Sequence, residues 1–319
     1  MFCRFKYSFP AALIISLMVS KPGWTGPWLT GPLLAPAGHT IPKGHSNLEL
    51  YGFYTVNEGI YNRHWRLIHT PRSESTIVNP IFSHGLTDKL DIQYAVPYIY
   101  NHNRGSSSQR LGDTSVTLGY QLLEQKESKW LPDLRVTLQE VIPTGRFESL
   151  NPLNNGADAT GLGSYQTGLA LNFQHLMQLG ETHYLRSRFS VGYLYASSTS
   201  INGLSSYGGT PQTSGSIDPG NLLSVDLAGE LTLTQNWVAV MEAYYASRSA
   251  TRFRGFVGNN EQGLPASIGH ADIEEITLAP AIEYNFSPNI GIIAGPWFSV
   301  RGRETSDFIS YVVAFNAYW

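Results

Sequence analysis

From residue 46 to the end of the chain, apolar and polar residues alternate with a period of two, and the charges keep to one side of that alternation. In 222–234, Leu223, Val225, Leu227, Leu231 and Leu233 share one face, while Ser224, Asp226, Glu230 and Thr232 share the other. In 275–286, Ile276, Leu278, Ile282, Tyr284 and Phe286 oppose Glu275, Thr277, Glu283 and Asn285. A period of two is the repeat of a β-strand with one apolar face. It predicts about twelve strands, near 46–57, 74–85, 89–102, 111–124, 132–142, 164–177, 183–197, 221–234, 236–249, 271–286, 289–303 and 307–319. Most reach the ~9–11 residues that a tilted strand needs to cross a bilayer. A single charge, Glu140, falls on the apolar face, just before Pro143, where a bulge or the interface would hold it.

Alternation alone also suits a soluble antiparallel sheet with one wet face. Two further patterns argue for lipid. First, connections alternate in length: HGLTDK (84–89), LTQNW (233–237) and FSPNI (286–290) are short, whereas 143–164, 197–221 and 252–271 are long and polar. Barrels with short periplasmic turns and larger extracellular loops have this rhythm. Second, the apolar face is aromatic at both ends. Tyr54, Tyr98, Tyr100, Tyr165, Tyr193, Tyr195, Tyr245 and Phe298 lie toward the long loops, and Phe82, Tyr120, Phe173, Trp237, Tyr284, Phe286 and Trp319 toward the short turns. Amphipathic rings settle at the two lipid–water boundaries, while a dry sandwich core has no reason to sort them by height. The expected fold is therefore all-β, a transmembrane antiparallel β-barrel of about twelve strands. An Arg or Lys facing mid-bilayer costs about 2–4 kcal/mol, so a charge-free outer face is what such a barrel requires. In the last strand Tyr311, Val313, Phe315 and Trp319 point outward and form a C-terminal insertion signal for the barrel-insertion machinery; outer-membrane lipid is the other expected partner.

Composition agrees. Charged residues are 14% and aromatics 12%, with 18 Tyr and 31 Gly, and the net charge of −3 gives no basic field for nucleic acid. At the N-terminus, Arg4 and Lys6 precede the apolar run AALIISLMVS (11–20), which has the length of a signal-peptide core and is too short to span a bilayer as a helix. The expected organisation is a signal peptide over 1–37, cleaved after Ala37, a short periplasmic segment over 38–45, and the barrel over 46–319. Cys3, the single cysteine, falls in the segment to be removed, so no disulfide or thiolate metal site is expected.

Several stretches resemble the family of outer-membrane proteins of the MetA pathway of phenol degradation: IPKGHSNLELYGFY (41–54), HGLTDKLDIQYAVPY (84–98), LGDTSVTLGYQLL (111–123), VIPTG (141–145) and TGLGSYQTGLAL (160–171). The resemblance implies a barrel and the passage of small compounds, aromatic ones among them, and it transfers no catalytic residue.

In the register above, the interior carries Glu49, Asp91, Asp113, Asp226, Glu230, Glu242, Glu275 and Glu283 against Arg135, Arg186, Arg188, Arg301 and Arg303. Glu275 is expected across from Arg301, and Arg186 and Arg188 near Glu230, as lumen-facing ion pairs. These groups either form a polar constriction that selects solutes or simply fill a narrow interior. Trp297 and Ile293 are the inward apolar candidates for an access patch. Two other classes stay open. One is a structural or adhesive barrel acting through its loops. The other is an outer-membrane lipid hydrolase, for which His175 and Ser187 are outward on neighbouring strands but lack an evident third residue. HExxH, P-loop and GxSxG motifs are absent from the sequence, GLGSYQ (161–166) opens a strand instead of a helix, and His64, Trp65 and His69 read as loop residues. The chain is thus expected to be a non-enzymatic channel or transporter without a cofactor.

Overall fold

A computed structural model describes residues 26–126 and 130–319; the expected signal core at 11–20 lies outside them. The chain forms β1 (Ser46–Tyr61), β2 (Leu67–Thr87), β3 (Leu90–Ala95), β4 (Tyr98–Asn103), β5 (Ser106–Leu111), β6 (Thr114–Leu123), β7 (Asp133–Ile142), β8 (Gln166–Leu179) and β9 (His183–Ala196). After these come β10 (Thr199–Asn202), β11 (Ser214–Asp218), β12 (Leu222–Thr232), β13 (Trp237–Arg248), β14 (Arg252–Phe256), β15 (Ile273–Ser287), β16 (Ile290–Arg303) and β17 (Thr305–Tyr318).

β3 with β4, and β5 with β6, each make one wall strand with a break in it. Pro97 has no N–H to give the ladder, and the pairing slips by one residue between Ala95↔Ser115 and Tyr98↔Leu111. Counted this way the wall has twelve antiparallel strands. It closes because β1 pairs with β2 on one side and with β17 on the other. Trp319 completes the seam: its N–H donates to the Ser46 carbonyl at 3.0 Å and its carbonyl accepts from Ser46 N–H at 2.8 Å. Closure leaves no row of unpaired backbone groups facing hydrocarbon, where each would cost several kcal/mol.

The outer face is apolar. Leu138, Leu169, Leu227, Met241 and Ile282 are exposed along its middle, with Tyr165, Tyr193 and Tyr195 toward the long loops and Phe286, Trp237 and Trp319 toward the short turns. Tyr311, Val313 and Phe315 are exposed on the same surface. Glu140 does face outward, near the long-loop end, where it accepts a hydrogen bond from Thr167 Oγ1 at 2.7 Å.

The long connections, read as loops in the sequence, fold further than expected. β10, β11 and β14 form a separate three-stranded sheet at the long-loop end. Its small core is Ile201, Ile217 and Tyr207, packed by Phe147, Leu162, Phe253 and Ile268.

Leu227→Arg places a guanidinium on the outer face at mid-strand. Equilibrium refolding into lipid vesicles is expected to lose about 2–4 kcal/mol for this variant, and Ser224→Arg, two strand positions from the lumen-facing Asp226, is expected to lose less than about 1 kcal/mol.

Candidate functional site

The interior is built from the polar half of the alternation, and its first element is a set of buried ion pairs. Arg186 on β9 lies directly across from Glu230 on β12. Its Nε donates to Glu230 Oε2 at 2.6 Å, and its Nη2 donates to Oε1 to complete a bidentate fork. Arg188 Nε stands 3.5 Å from the same carboxylate. A second pair joins Arg135 on β7 to Asp91 on β3 at 2.6 Å, although β6 runs between them. Gly119 makes this reach possible, since a Cβ there would stand 2.2 Å from Arg135 Nε and 2.3 Å from Asp91 Oδ1.

The second element comes from residues before β1. The sequence reading assigns 1–37 to a signal peptide and 38–45 to a short periplasmic segment; in the structure residues 26–42 form an arch inside the lumen. The arch starts at the short-turn rim, where Gln235 Nε2 donates to the Gly26 carbonyl at 3.0 Å. It rises to Leu33 and Ala35, both buried. It then crosses to the opposite wall and returns to the same rim, where Gly44 N–H donates to the Gly85 carbonyl at 3.0 Å. Residues 38–42 are therefore lumenal: Thr40 N–H donates to Gln121 Oε1 at 2.7 Å, Gln121 Nε2 donates back to the Gly38 carbonyl at 3.1 Å, and Ile41 N–H donates to Asp91 Oδ2 at 2.9 Å. Gly38 is needed for the crossing, because a Cβ there would meet the Gln174 backbone nitrogen at 2.6 Å.

Three inward carboxylates hold the arch by its backbone. Glu242, fully buried, accepts from the N–H groups of Leu33 at 2.5 Å, Leu34 at 2.9 Å and Ala35 at 2.8 Å. Glu283 accepts from Thr30 N–H at 2.6 Å and from Asn285 Nδ2 at 2.6 Å. Asp91, already paired with Arg135, takes Ile41. From the other charge type, Arg188 Nη1 donates to the Ala35 carbonyl at 2.9 Å. Prolines at 27, 32, 36 and 42 hold this segment extended, so its free N–H groups point to the wall instead of to one another. Apolar packing completes the fit: Leu33 sits on Val238, Val240, Ala279, Ile293, Val312 and Ala314. Burying a leucine of this kind is worth about 1.5–3 kcal/mol. Ile293, expected to line an access patch, is covered by the arch.

The sequence register holds through Thr277↔Ser299 and then fails. Ile276 pairs with Arg301, which leaves Val300 as an extra residue on β16. One inserted residue sends everything beyond it to the opposite face. Arg301 and Arg303 are thus not lumenal, and the expected Glu275–Arg301 pair does not form. Arg301 lies over the Trp65 ring at 5.1 Å, and Arg303 Nη2 donates to Glu274 Oε1 at 2.7 Å. Glu275 stays inward and accepts from Thr305 Oγ1 at 2.8 Å.

What remains of the lumen is a cavity of about 840 Å³. The arch and Arg188 line it, with Asp226, Tyr244, Tyr51, Phe53 and Trp297 on the wall. Trp297 is anchored by Nε1–H donation to Thr277 Oγ1 at 2.8 Å and by an edge contact with Phe308. On the outer surface, Ser187 lies opposite His175, and its hydroxyl donates to the His175 backbone carbonyl at 3.4 Å. Among the described residues no group of three or more His, Cys, Asp or Glu side chains is placed to hold a metal ion.

The fold and this interior define a transmembrane β-barrel with an occupied lumen. Its backbone is similar to that of the COG4313 outer membrane channel from Pseudomonas putida F1, with a TM-score of 0.69 at 12% identity over 90% of this chain and 100% of that one. The NanC porin has a TM-score of 0.43 at 10% identity over 85% of this chain and 98% of that one. The β domain of the Bordetella autotransporter BrkA has 0.42 at 8% identity over 85% and 99%. No family model matches the sequence, and no curated protein matches it.

Glu230→Ala leaves Arg186 buried without its fork. It is expected to cost about 3–5 kcal/mol in equilibrium refolding. Glu242→Ala takes the acceptor from three arch N–H groups. An Ala35→Cys reporter, protected in the parent, is expected to react with a water-soluble maleimide at least about tenfold faster once Glu242 is alanine, since hydrogen bonds to a charged group are worth about 1.5–3 kcal/mol each.

Proposed function

We propose that this chain is an outer-membrane channel that passes small molecules by diffusion, with residues 26–42 setting its narrowest point. The observation that carries this reading is the cavity of about 840 Å³ inside a closed barrel, polar on the inside and apolar on the outside. A wall built only for structure would be served by side chains that meet across the axis. Here the wall stands back from the axis, and a separate segment occupies part of the space. No covalent step is involved: passage depends on what the wall and the arch hold and release. The short-turn rim, where Gly26 and Trp319 lie, would face the periplasm, and the small three-stranded sheet would lie outside the cell. Aromatic compounds, which the resemblance to the MetA-pathway family suggests, would find Tyr51, Phe53, Tyr244 and Trp297 on the cavity wall.

This reading makes the arch part of the mature protein. Cleavage after Ala37 would delete all three N–H donors to Glu242, so processing belongs upstream of Thr30. N-terminal sequencing of the outer-membrane form is expected to give a start before residue 30; a start at Gly38 would remove the arch from the account. In planar bilayers the full-length mature protein is expected to give small, steady conductance steps, enlarged by Glu242→Ala. A record flat at background for both proteins would dismiss the channel.

A further inference from the structure

Asp226 and Glu242 are near neighbours on the same wall, and they are satisfied in opposite ways. In the register of β12 and β13, Asp226 lies across from Tyr244, and Glu242 lies across from Ala228, one inward position lower. Glu242 is saturated by the arch. Asp226 is 4% exposed, yet its Oδ1 has no hydrogen-bond partner, and no guanidinium or ammonium lies within ion-pair distance of it among the described residues. Asp226 lines the cavity together with its two register partners, Ser190 on β9 and Tyr244 on β13. A buried carboxylate oxygen without a donor is costly, and a ligand that brings the donor recovers that cost.

Two further observations say what kind of donor suits the site. First, Asn79 Oδ1 and Asn47 Oδ1 on the cavity wall are unpartnered buried acceptors too, and the unpartnered donors there, Arg135 Nε and Arg188 Nε, belong to guanidiniums already committed to Asp91 and Glu230. Second, of the three carboxylates on the cavity wall Asp91 is paired with Arg135, and Arg186 and Arg188 are committed to Glu230, so Asp226 and Glu49 face the cavity without an ion pair among the described residues. Such uncompensated negative charge between low-dielectric walls favours a cation over an anion. Beside Asp226 the wall is aromatic. Tyr244 follows on β13 and Trp297 stands on β16, tied to Thr277, which is itself Tyr244's register partner on β15. With strands spaced about 4.8 Å apart, this row runs roughly 14 Å from carboxylate to indole, so a small aromatic molecule with a short polar arm held at Asp226 lies over Tyr244 and points toward Trp297.

We propose that the cavity holds a binding site for a small organic amine, with its ammonium N–H donating to Asp226 Oδ1 and its apolar or aromatic body lying over Tyr244 toward Trp297. The site rests on the reading of the lumen as a solute path, and it narrows that path to cations. Aromatic faces add attraction for a desolvated ammonium.

The test uses the folded full-length mature chain in detergent, with three probes of matched shape: benzylamine, benzyl alcohol and benzoate. Binding is measured by equilibrium dialysis against protein-free micelles. Benzylamine is expected to bind at least about tenfold tighter than benzyl alcohol, with benzoate weakest; Asp226→Asn is expected to weaken benzylamine about tenfold and leave benzyl alcohol unchanged, and Asp226→Glu to restore most of the preference. Equal binding of the amine and the alcohol, tighter binding of benzoate, no binding of benzylamine, or an Asp226→Asn protein that keeps the full preference would each overturn the site. Should Asp226→Asn fail to show heat-modifiable migration, the three-probe series on the unmutated protein decides alone. Bilayer recording separates the two proposals: amine preference without conductance supports the site and sinks the channel, while conductance without amine preference does the reverse.

Discussion

Hydrocarbon offers a peptide group nothing to bond to, and every larger feature of this molecule follows from meeting that demand. Twelve strands pair around a full circle, and the last bonds lie between Ser46 and Trp319 at the seam. Once the circle is closed, the side-chain alternation has a fixed meaning, with one face toward acyl chains and the other toward an enclosed space. The aromatic girdles and the nearly charge-free outer face are consequences of that geometry.

The enclosed space then poses the same problem for side chains. Glu230 is answered by Arg186 and Arg188, and Asp91 by Arg135. Glu242 and Glu283 form no ion pair among the described residues and are answered by backbone N–H groups of the segment before β1. The same segment covers the aliphatic patch around Val240 and Ile293. Polar and apolar contacts therefore agree on one placement for it. A buried carboxylate ringed by N–H donors is a strong and directional contact, and a patch of valine and isoleucine is a broad and forgiving one. Together they set both the position and the depth of the arch.

The wall was legible in the sequence because alternation is a local signal repeated in every strand. The interior was only partly so. The Arg186–Glu230 pairing could be anticipated because both residues lie near the short-turn ends of neighbouring strands. The placement of Arg301 and Arg303 could not, because a single extra residue at Val300 reverses their side and the nearby Gly302 is its one sign in the sequence. The arch left no periodic signal in the sequence. GWTGPWLTGPLLAPAGHTIP has no period, so it looks like a spacer next to a signal peptide. Its trace lay elsewhere: Val238, Val240, Ile293 and Val312 put an aliphatic patch on a face that is otherwise polar, and a wet interior gives such a patch no purpose. The small sheet of β10, β11 and β14 escaped notice because its strands are four or five residues long and are separated in sequence by turns and by two wall strands.

Both limbs of the arch leave through the same rim, one beside Gln235 and the other beside Gly85. The segment loops into the cylinder and out again; it does not thread through it. Its removal or return thus breaks no rung of the wall's ladder and requires no chain end to pass between strands. Topologically it is a stopper on a tether, seated from one side only, and the cylinder's own closure at Ser46 and Trp319 does not run through it.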